Sequence, residues 1–154
     1  MSDAFEVSVN WPADTSQKMP PDTAFSRNNW LAAPGKAEVF GSAPAIFGGE
    51  PRGYNPEELM ALSLSQCHML TYLAITAKRG IAVLHYEDHA VAQLGKNAEG
   101  RTQMVEVLLR PKVVVAKGTN LEDARALHAK AHTACFMASS VNFPVRNEPE
   151  IVER

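Results

Sequence analysis

The sequence predicts a mixed fold of antiparallel strands and two helices, one of the helices long and almost free of charge. Three observations carry this. The segment Asn55-Pro56-Glu57-Glu58 has the composition of a helix start and opens a run, residues 59–77, without a charged side chain. Two strand-like stretches, 82–94 and 102–116, flank the polar segment Gly95-Lys96-Asn97-Ala98-Glu99-Gly100 and read as a β-hairpin. A second helical pattern follows Thr119-Asn120-Leu121-Glu122.

Taken in order, residues 5–11 alternate loosely through Phe5, Val7, Val9 and Trp11 and predict a strand. The Pro-, Asp- and Ser-containing stretch 12–22 predicts a loop. Short strands at 24–30 and 37–41 flank Pro34-Gly35, an order suited to a turn between antiparallel neighbours. Asn55 then caps a helix whose first residue is Pro56, with Glu57 and Glu58 at the positive end of the helix dipole. Lys78 and Arg79 suit the negative end, and Gly80 supplies a left-handed stop, so the helix runs from 56 to about 77.

Ser63, Ser65, Gln66, His68, Thr71 and Thr76 interrupt the uncharged run, which argues for a buried central helix rather than a membrane span. A helix apolar on nearly all sides needs cover on more than one face, part of it from a second subunit. In the second helix Thr119 and Glu122 have capping-box spacing, and Leu121, Ala124, Leu127 or His128, Ala131 and Cys135 trace one face. Pro144 bounds that helix, and residues 145–152 return as a last strand.

The bulk numbers fit one domain spanning 1–154. The chain has 154 residues, 45% hydrophobic and 21% charged, enough to bury a core without cross-links or a structural metal. A formal net charge of -2, with no run of Lys or Arg, excludes nucleic acid as an expected partner. The opening Met1-Ser2-Asp3-Ala4-Phe5-Glu6 is acidic where a secretory signal is basic, so a cytoplasmic location is expected. Two cysteines in a reducing compartment are catalytic, metal-binding or inert more often than a permanent staple.

The run Asn55-Pro56-Glu57-Glu58-Leu59, followed by Ser65-Gln66-Cys67 and later by His132-Thr133-Ala134-Cys135-Phe136, resembles the OsmC/Ohr family. The resemblance covers about residues 24–150. It implies an α+β fold of antiparallel sheets with a long central helix, forming an interwound homodimer with two sites at the interface. It also implies a thiol peroxidase that reduces organic hydroperoxides, with Cys67 as the peroxidatic and Cys135 as the resolving cysteine. An arginine of the N-terminal loop, for which Arg27 is the nearest match and Arg52 the competitor, would pair with Glu57 and activate the thiolate. No cofactor is implied; an external thiol or lipoyl-type dithiol would supply the electrons. Three departures, Gly53-Tyr54 before the Asn-Pro-Glu motif, His68-Met69 after Cys67 and Phe136 after Cys135, bear on hydroperoxide preference and reducing partner.

The chemistry explains why those residue types are needed. Only a thiolate attacks the peroxide O–O bond efficiently, and an ordinary cysteine with a pKa of about 8.5 is about 3% ionised at pH 7. A neighbouring guanidinium favours the thiolate and a carboxylate holds the guanidinium in place. Attack leaves Cys67 as a sulfenic acid, and a thiol at Cys135 condenses with it to a disulfide. Ten residues of helix at about 1.5 Å each put Glu57 some 15 Å along the axis from Cys67. Glu57 is therefore expected to act on Cys67 of the partner subunit. Met60, Leu64, Met69 and Leu70 are the expected lining of a pocket for an alkyl chain.

Plainer readings stand beside these. Cys67 or Cys135 alone reads as a small core residue, Glu57 as a dipole acid, Glu58 as the capping-box partner and Arg27 as a solvated loop residue. His85 and His89, on one strand face, read as solvated. Cys67-His68 with His132-x-x-Cys135 is the best metal reading available, but adjacent helical residues point about 100° apart and Cys67 and His68 do not easily share an ion. No metal is expected. The alternative function is a non-catalytic dimer of the same fold that binds a small apolar or thiol-containing ligand at its interface.

Overall fold

The computed structural model describes residues 3–16 and 25–154. Its contacts divide the chain into two compact units, Met1–Leu59 and Met60–Arg154.

The first unit is built on a small antiparallel sheet in the order β1-β2-β3, with β1 Ser8–Asn10, β2 Asn29–Ala32 and β3 Val39–Gly41. The predicted strand at 5–11 is shorter than its alternation suggested, and the strand expected from 24 begins only at Asn29. Ala24 and residues 17–22 of the expected loop lie outside the described residues. The turn at Pro34-Gly35 is present: Lys36 N–H bonds to Ala33 C=O, and Gly35 takes a φ of 74°. After β3 the chain folds tightly on itself. A Cβ on Gly49 would stand 1.6 Å from the Ala43 carbonyl oxygen, so only glycine fits there. That close approach brings Glu50 N–H to Ser42 Oγ, and Ser42 donates to Asn28, whose amide holds Glu50.

Helix α1, Pro56–Lys78, starts at the end of the first unit and belongs mostly to the second. Its start is a reciprocal capping box: Glu58 N–H bonds to Asn55 Oδ1, and Glu58 Oε2 accepts from Asn55 N–H. Its end is Gly80 with φ 70°. One face is buried within this chain, namely Ala61, Leu64, His68, Tyr72 and Thr76, at steps of three and four. Met60, Leu62 and Leu70 are exposed in this chain. Of the cover expected on more than one face, this chain supplies that of one face. By length and hydropathy α1 is the one helix among the described residues that passes for a membrane span. Its buried His, Tyr and Thr instead pack within this unit.

The hairpin follows, in segments. Strands β4 Val83–Asp88 and β5 Val91–Lys96 break at residues 89–90, and β6 Thr102–Leu109 and β7 Pro111–Val115 break at Arg110. β5 pairs antiparallel with β6 and β4 with β7, so one long hairpin is shared between two three-stranded sheets, β4-β7-β9 and β5-β6-β8. The last strands, β8 Val145–Asn147 and β9 Glu150–Glu153, run parallel to β6 and β7. A parallel return needs a crossover, and α2, Leu121–Ala134, lies within it.

Helix α2 is capped by Asn120, whose side chain accepts from the N–H groups of Glu122 and Asp123. The sequence pattern pointed to Thr119, but Thr119 turns back to donate to the Ala116 carbonyl. The buried face of α2 is Ala124, Leu127, His128 and Ala131, followed by buried Cys135, as predicted except at Leu121, which is exposed in the first turn. Two clusters form the core of the second unit. Tyr72, Val113, Val115, Ala124, Leu127, Ala131 and Ile151 join α1 and α2 to β7 and β9. Leu64, Met104, Val107, Leu109 and Val145 join α1 to β6 and β8. Both helices are thus pressed against the sheets on the faces that carry small and branched residues, and this fixes where their remaining side chains meet.

Candidate active site

Cys67 and Cys135 meet between α1 and α2. Cys67 lies at the start of the fourth turn of α1 and is partly exposed, whereas Cys135 is buried where the chain leaves α2. Cys135 has extended backbone angles and donates its N–H to the His132 carbonyl. Its Sγ donates to Cys67 Sγ across 2.8 Å, and Ala138 N–H points back at Cys135 Sγ from 3.4 Å. Both sulfurs are free thiols. Burial, and next the bond to Cys67, push the Cys135 thiol up to about 11. At neutral pH Cys135 is a thiol, and Cys67 is the sulfur open to solvent.

One residue beyond Cys67 the helix turns inward. His68 Nε2 lies 2.9 Å from His128 Nδ1, with the two rings nearly parallel. Tyr72 stacks on the far side of the arrangement, its ring centroid 3.9 Å from that of His128, and its hydroxyl donates to the Ala124 carbonyl. Burial pushes His68 down to about 4, with Asp88 opposing and His132 adding to the shift. Burial, then His68 and Arg125, push His128 down to about 3. Both rings are neutral across the physiological range. The sequence reading took His68 as a polar break in the uncharged run, a departure from the family pattern and a candidate metal ligand, and His128 as a face residue; it missed the pair. The spacing shows that 64, 68, 72 and 76 share one face of α1 and 124, 128 and 131 one face of α2, but not that the two histidines meet.

The first unit holds the other two candidates. Arg27 and Glu57 line one cavity of about 370 Å³ together with Trp11, Phe25 and Phe47. They form no ion pair. Arg27 donates to the Phe25 carbonyl at 2.7 Å and its guanidinium lies 4.1 Å from the centre of the Phe25 ring. Glu57 Oε2 is buried without a hydrogen-bond partner among the described residues. Arg52, the competing arginine, is engaged elsewhere: it pairs with Glu50 and lies over the Phe40 ring. The Arg52 hydrogen bond is the main reason the Glu50 carboxyl is lowered.

The expected alkyl pocket needs correction. Leu64 is fully buried in the second core cluster, Met69 is half-buried, and Met60 and Leu70 are exposed at the surface. The cause is the phase of α1, which turns Leu64 toward β6 and β8. His85 and His89 are exposed, as read, with His85 near Glu87. Among the described residues no three His, Cys, Asp or Glu side chains are grouped as metal ligands.

Comparison with known proteins agrees with this architecture. The family described as OsmC-like protein matches residues 48–150. No curated protein sequence matches the chain. Among solved structures, an OsmC-like protein of unknown function from Vibrio cholerae is 32% identical, with a TM-score of 0.88 over 96% of this chain and 99% of its own. An organic hydroperoxide resistance protein from Elizabethkingia anophelis, with thiocyanate bound, is 19% identical with a TM-score of 0.71, over 100% and 99% of the two chains. A second V. cholerae structure, described as an organic hydroperoxide resistance protein with captopril in one of its active sites, is 22% identical with a TM-score of 0.69, over 98% and 94%. The α+β arrangement of two helices and small sheets is that of OsmC-like structures, and the chain belongs to the OsmC-like protein family.

Proposed function

We propose that the protein is a thiol peroxidase that reduces organic hydroperoxides, with Cys67 as the attacking and Cys135 as the resolving cysteine. The observation that carries this reading is the 2.8 Å contact between a partly exposed sulfur and a buried one. The Cys67 thiolate attacks the terminal oxygen of R–O–O–H and the O–O bond breaks. The alkoxide takes a proton and leaves as the alcohol, while Cys67 becomes a sulfenic acid. Cys135 then attacks the Cys67 sulfur; its proton leaves with the hydroxyl group as water, and the disulfide forms. An external dithiol of the lipoyl type returns both thiols. The high pKa of Cys135 keeps it protonated, so Cys67 is the nucleophile toward the peroxide.

Arg27 is the activating arginine in this account, because it shares a cavity with Glu57 while Arg52 is held by Glu50. The helix α1 is continuous from Pro56 to Lys78, so Glu57 stands about 15 Å along its axis from Cys67. Arg27 and Glu57 therefore serve Cys67 of the partner subunit in a homodimer, which makes the two units of the chain parts of one OsmC-like domain. The exposed Met60, Leu62 and Leu70 of α1 are apolar surface that such a partner covers. Two cysteines that cycle through a disulfide belong in a reducing compartment, the cytoplasm.

Steady-state assay with cumene hydroperoxide and dihydrolipoamide tests the proposal. Turnover should be faster than with hydrogen peroxide at equal concentration and should be absent from Cys67→Ser. A wild-type protein no faster than free dihydrolipoamide would contradict it and leave a ligand-binding dimer as the reading.

A further inference from the structure

The peroxidase chemistry leaves two buried imidazoles unused. His68 and His128 are each 1% exposed, joined by one hydrogen bond of 2.9 Å and flanked by the stacked Tyr72 ring. Either ring can be the donor, and in both cases the outer nitrogens, His68 Nδ1 and His128 Nε2, are buried without partners among the described residues. Asp88 and His132 act on His68, and Arg125 on His128, but no carboxylate bonds to either ring. A pair of apolar side chains would fill the same space without desolvating four nitrogens. Stability is thus a poor explanation for the pair.

What a hydrogen bond adds is direction. Apolar helix faces slide against one another at little cost, whereas an N–H···N bond weakens steeply away from its preferred length and angle. This one joins α1 to α2 one residue after Cys67 and two helical turns before Cys135. The small residues Ala124 and Ala131 flank His128 on the same buried face, which allows the backbones to come close enough for the two rings to meet. Disulfide formation is demanding in the same coordinate, since it needs Cα atoms within roughly 7 Å and side chains that point at one another.

We propose that His68 and His128 are positioning residues that set the register of α1 against α2 and thereby the effective concentration of Cys135 at Cys67. The pair acts on the resolving step and leaves the first attack on peroxide to Cys67 and the arginine. Its use in turnover rests on the peroxidase reading, but the alignment itself is a property of the thiol pair.

The test is a glutathione redox titration of the full-length protein. One glutathione disulfide gives two glutathiones as Cys67 and Cys135 lose two hydrogens and form their disulfide, so no hydroperoxide is involved. Four proteins are compared: wild type, the double variant His68→Phe/His128→Phe, and the single variants His68→Gln and His128→Asn. Each single variant returns an amide atom near the lost ring nitrogen. The double variant should lose at least about tenfold in effective concentration, the scale of one hydrogen bond. His68→Gln and His128→Asn should recover most of that, and thermal melting of the reduced double variant should be unchanged or higher. A folded double variant with the wild-type effective concentration overturns the proposal, as does a loss that the two amide variants do not rescue. Should the double variant not fold, His128→Leu is judged by the same criterion. A wild type that forms the disulfide with glutathione but not with cumene hydroperoxide marks failure of the peroxidase reading alone.

Discussion

Cys135 Sγ lies 2.8 Å from Cys67 Sγ although 68 residues separate the two in the chain. Only one of them is open to solvent. Under the proposed peroxidase cycle this asymmetry sets the order of events: a hydroperoxide would reach Cys67 first, while burial keeps Cys135 a thiol. Cys135→Ser should consume one equivalent of cumene hydroperoxide and stop at a Cys67 sulfenic acid that dimedone traps and excess peroxide carries to the sulfinic acid. Cys67→Ser should consume none. Intact mass of each variant after one equivalent distinguishes these outcomes from a reversed order, in which Cys135→Ser would be inert.

Arg27 and Glu57 line a common cavity without touching, and Glu57 has a buried oxygen with no partner among the described residues. If they complete the site of the partner subunit, Arg27→Lys should slow Cys67 oxidation by about 10- to 100-fold, since a point charge does not replace the planar fork. Arg52→Lys should slow it less than about threefold, because Arg52 serves Glu50. Mixed dimers of Cys67→Ser and Glu57→Ala chains should recover activity that neither parent has. Stopped-flow fluorescence follows all of these, and inactivity in every mixture would sink the shared site.

The buried histidines make stability depend on pH. Folded, His68 and His128 take up protons only near pH 4 and 3, whereas an unfolded histidine does so near 6.5. Between these values the unfolded chain binds more protons, so the stabilisation is complete above about pH 6.5 and is lost as pH falls toward 4. The slope contributed by two rings is at most about 2.7 kcal/mol per pH unit. Urea unfolding of the reduced protein from pH 7 to 4.5 should show this decline, and His68→Phe/His128→Phe should be flatter. Equal slopes would mean that the rings are not held neutral by the fold.

Asn55 closes the start of α1 with Glu58 in a two-way bond. Asn55→Ala should cost about 1 kcal/mol of stability, measured by urea unfolding, with the Cys67–Cys135 disulfide still forming. A loss of disulfide formation equal to that of Cys135→Ser would place the cap in the site rather than in the scaffold.

How far the sequence could be read follows from the range of the signals involved. The bounds of α1 were legible because Asn55, Pro56, Glu58 and Gly80 act on their own backbone within a turn. The hairpin turn at 95–100 and the buried face of α2 were legible for the same reason. The strand breaks at Ala90 and Arg110 were not, since they depend on how one hairpin is shared between two sheets. Asn120 rather than Thr119 caps α2 because Thr119 found a nearer acceptor in Ala116. The proximity of Cys67 and Cys135 was suggested by the motifs around them, and Arg27 was a candidate through the family resemblance. The His68–His128 bond joins residues 60 apart, and no local pattern encodes which buried polar side chain another will meet.

The central claim is that Cys67 and Cys135 form one working redox pair. Its most direct test is the mass of the reduced wild-type protein after a single equivalent of cumene hydroperoxide, with peptide mapping under non-reducing conditions. The account predicts loss of two hydrogens and a Cys67–Cys135 cross-linked peptide, formed much faster than free cysteine is oxidised under the same conditions. Unchanged mass, or an added oxygen on Cys67 that persists without a cross-link, would contradict it.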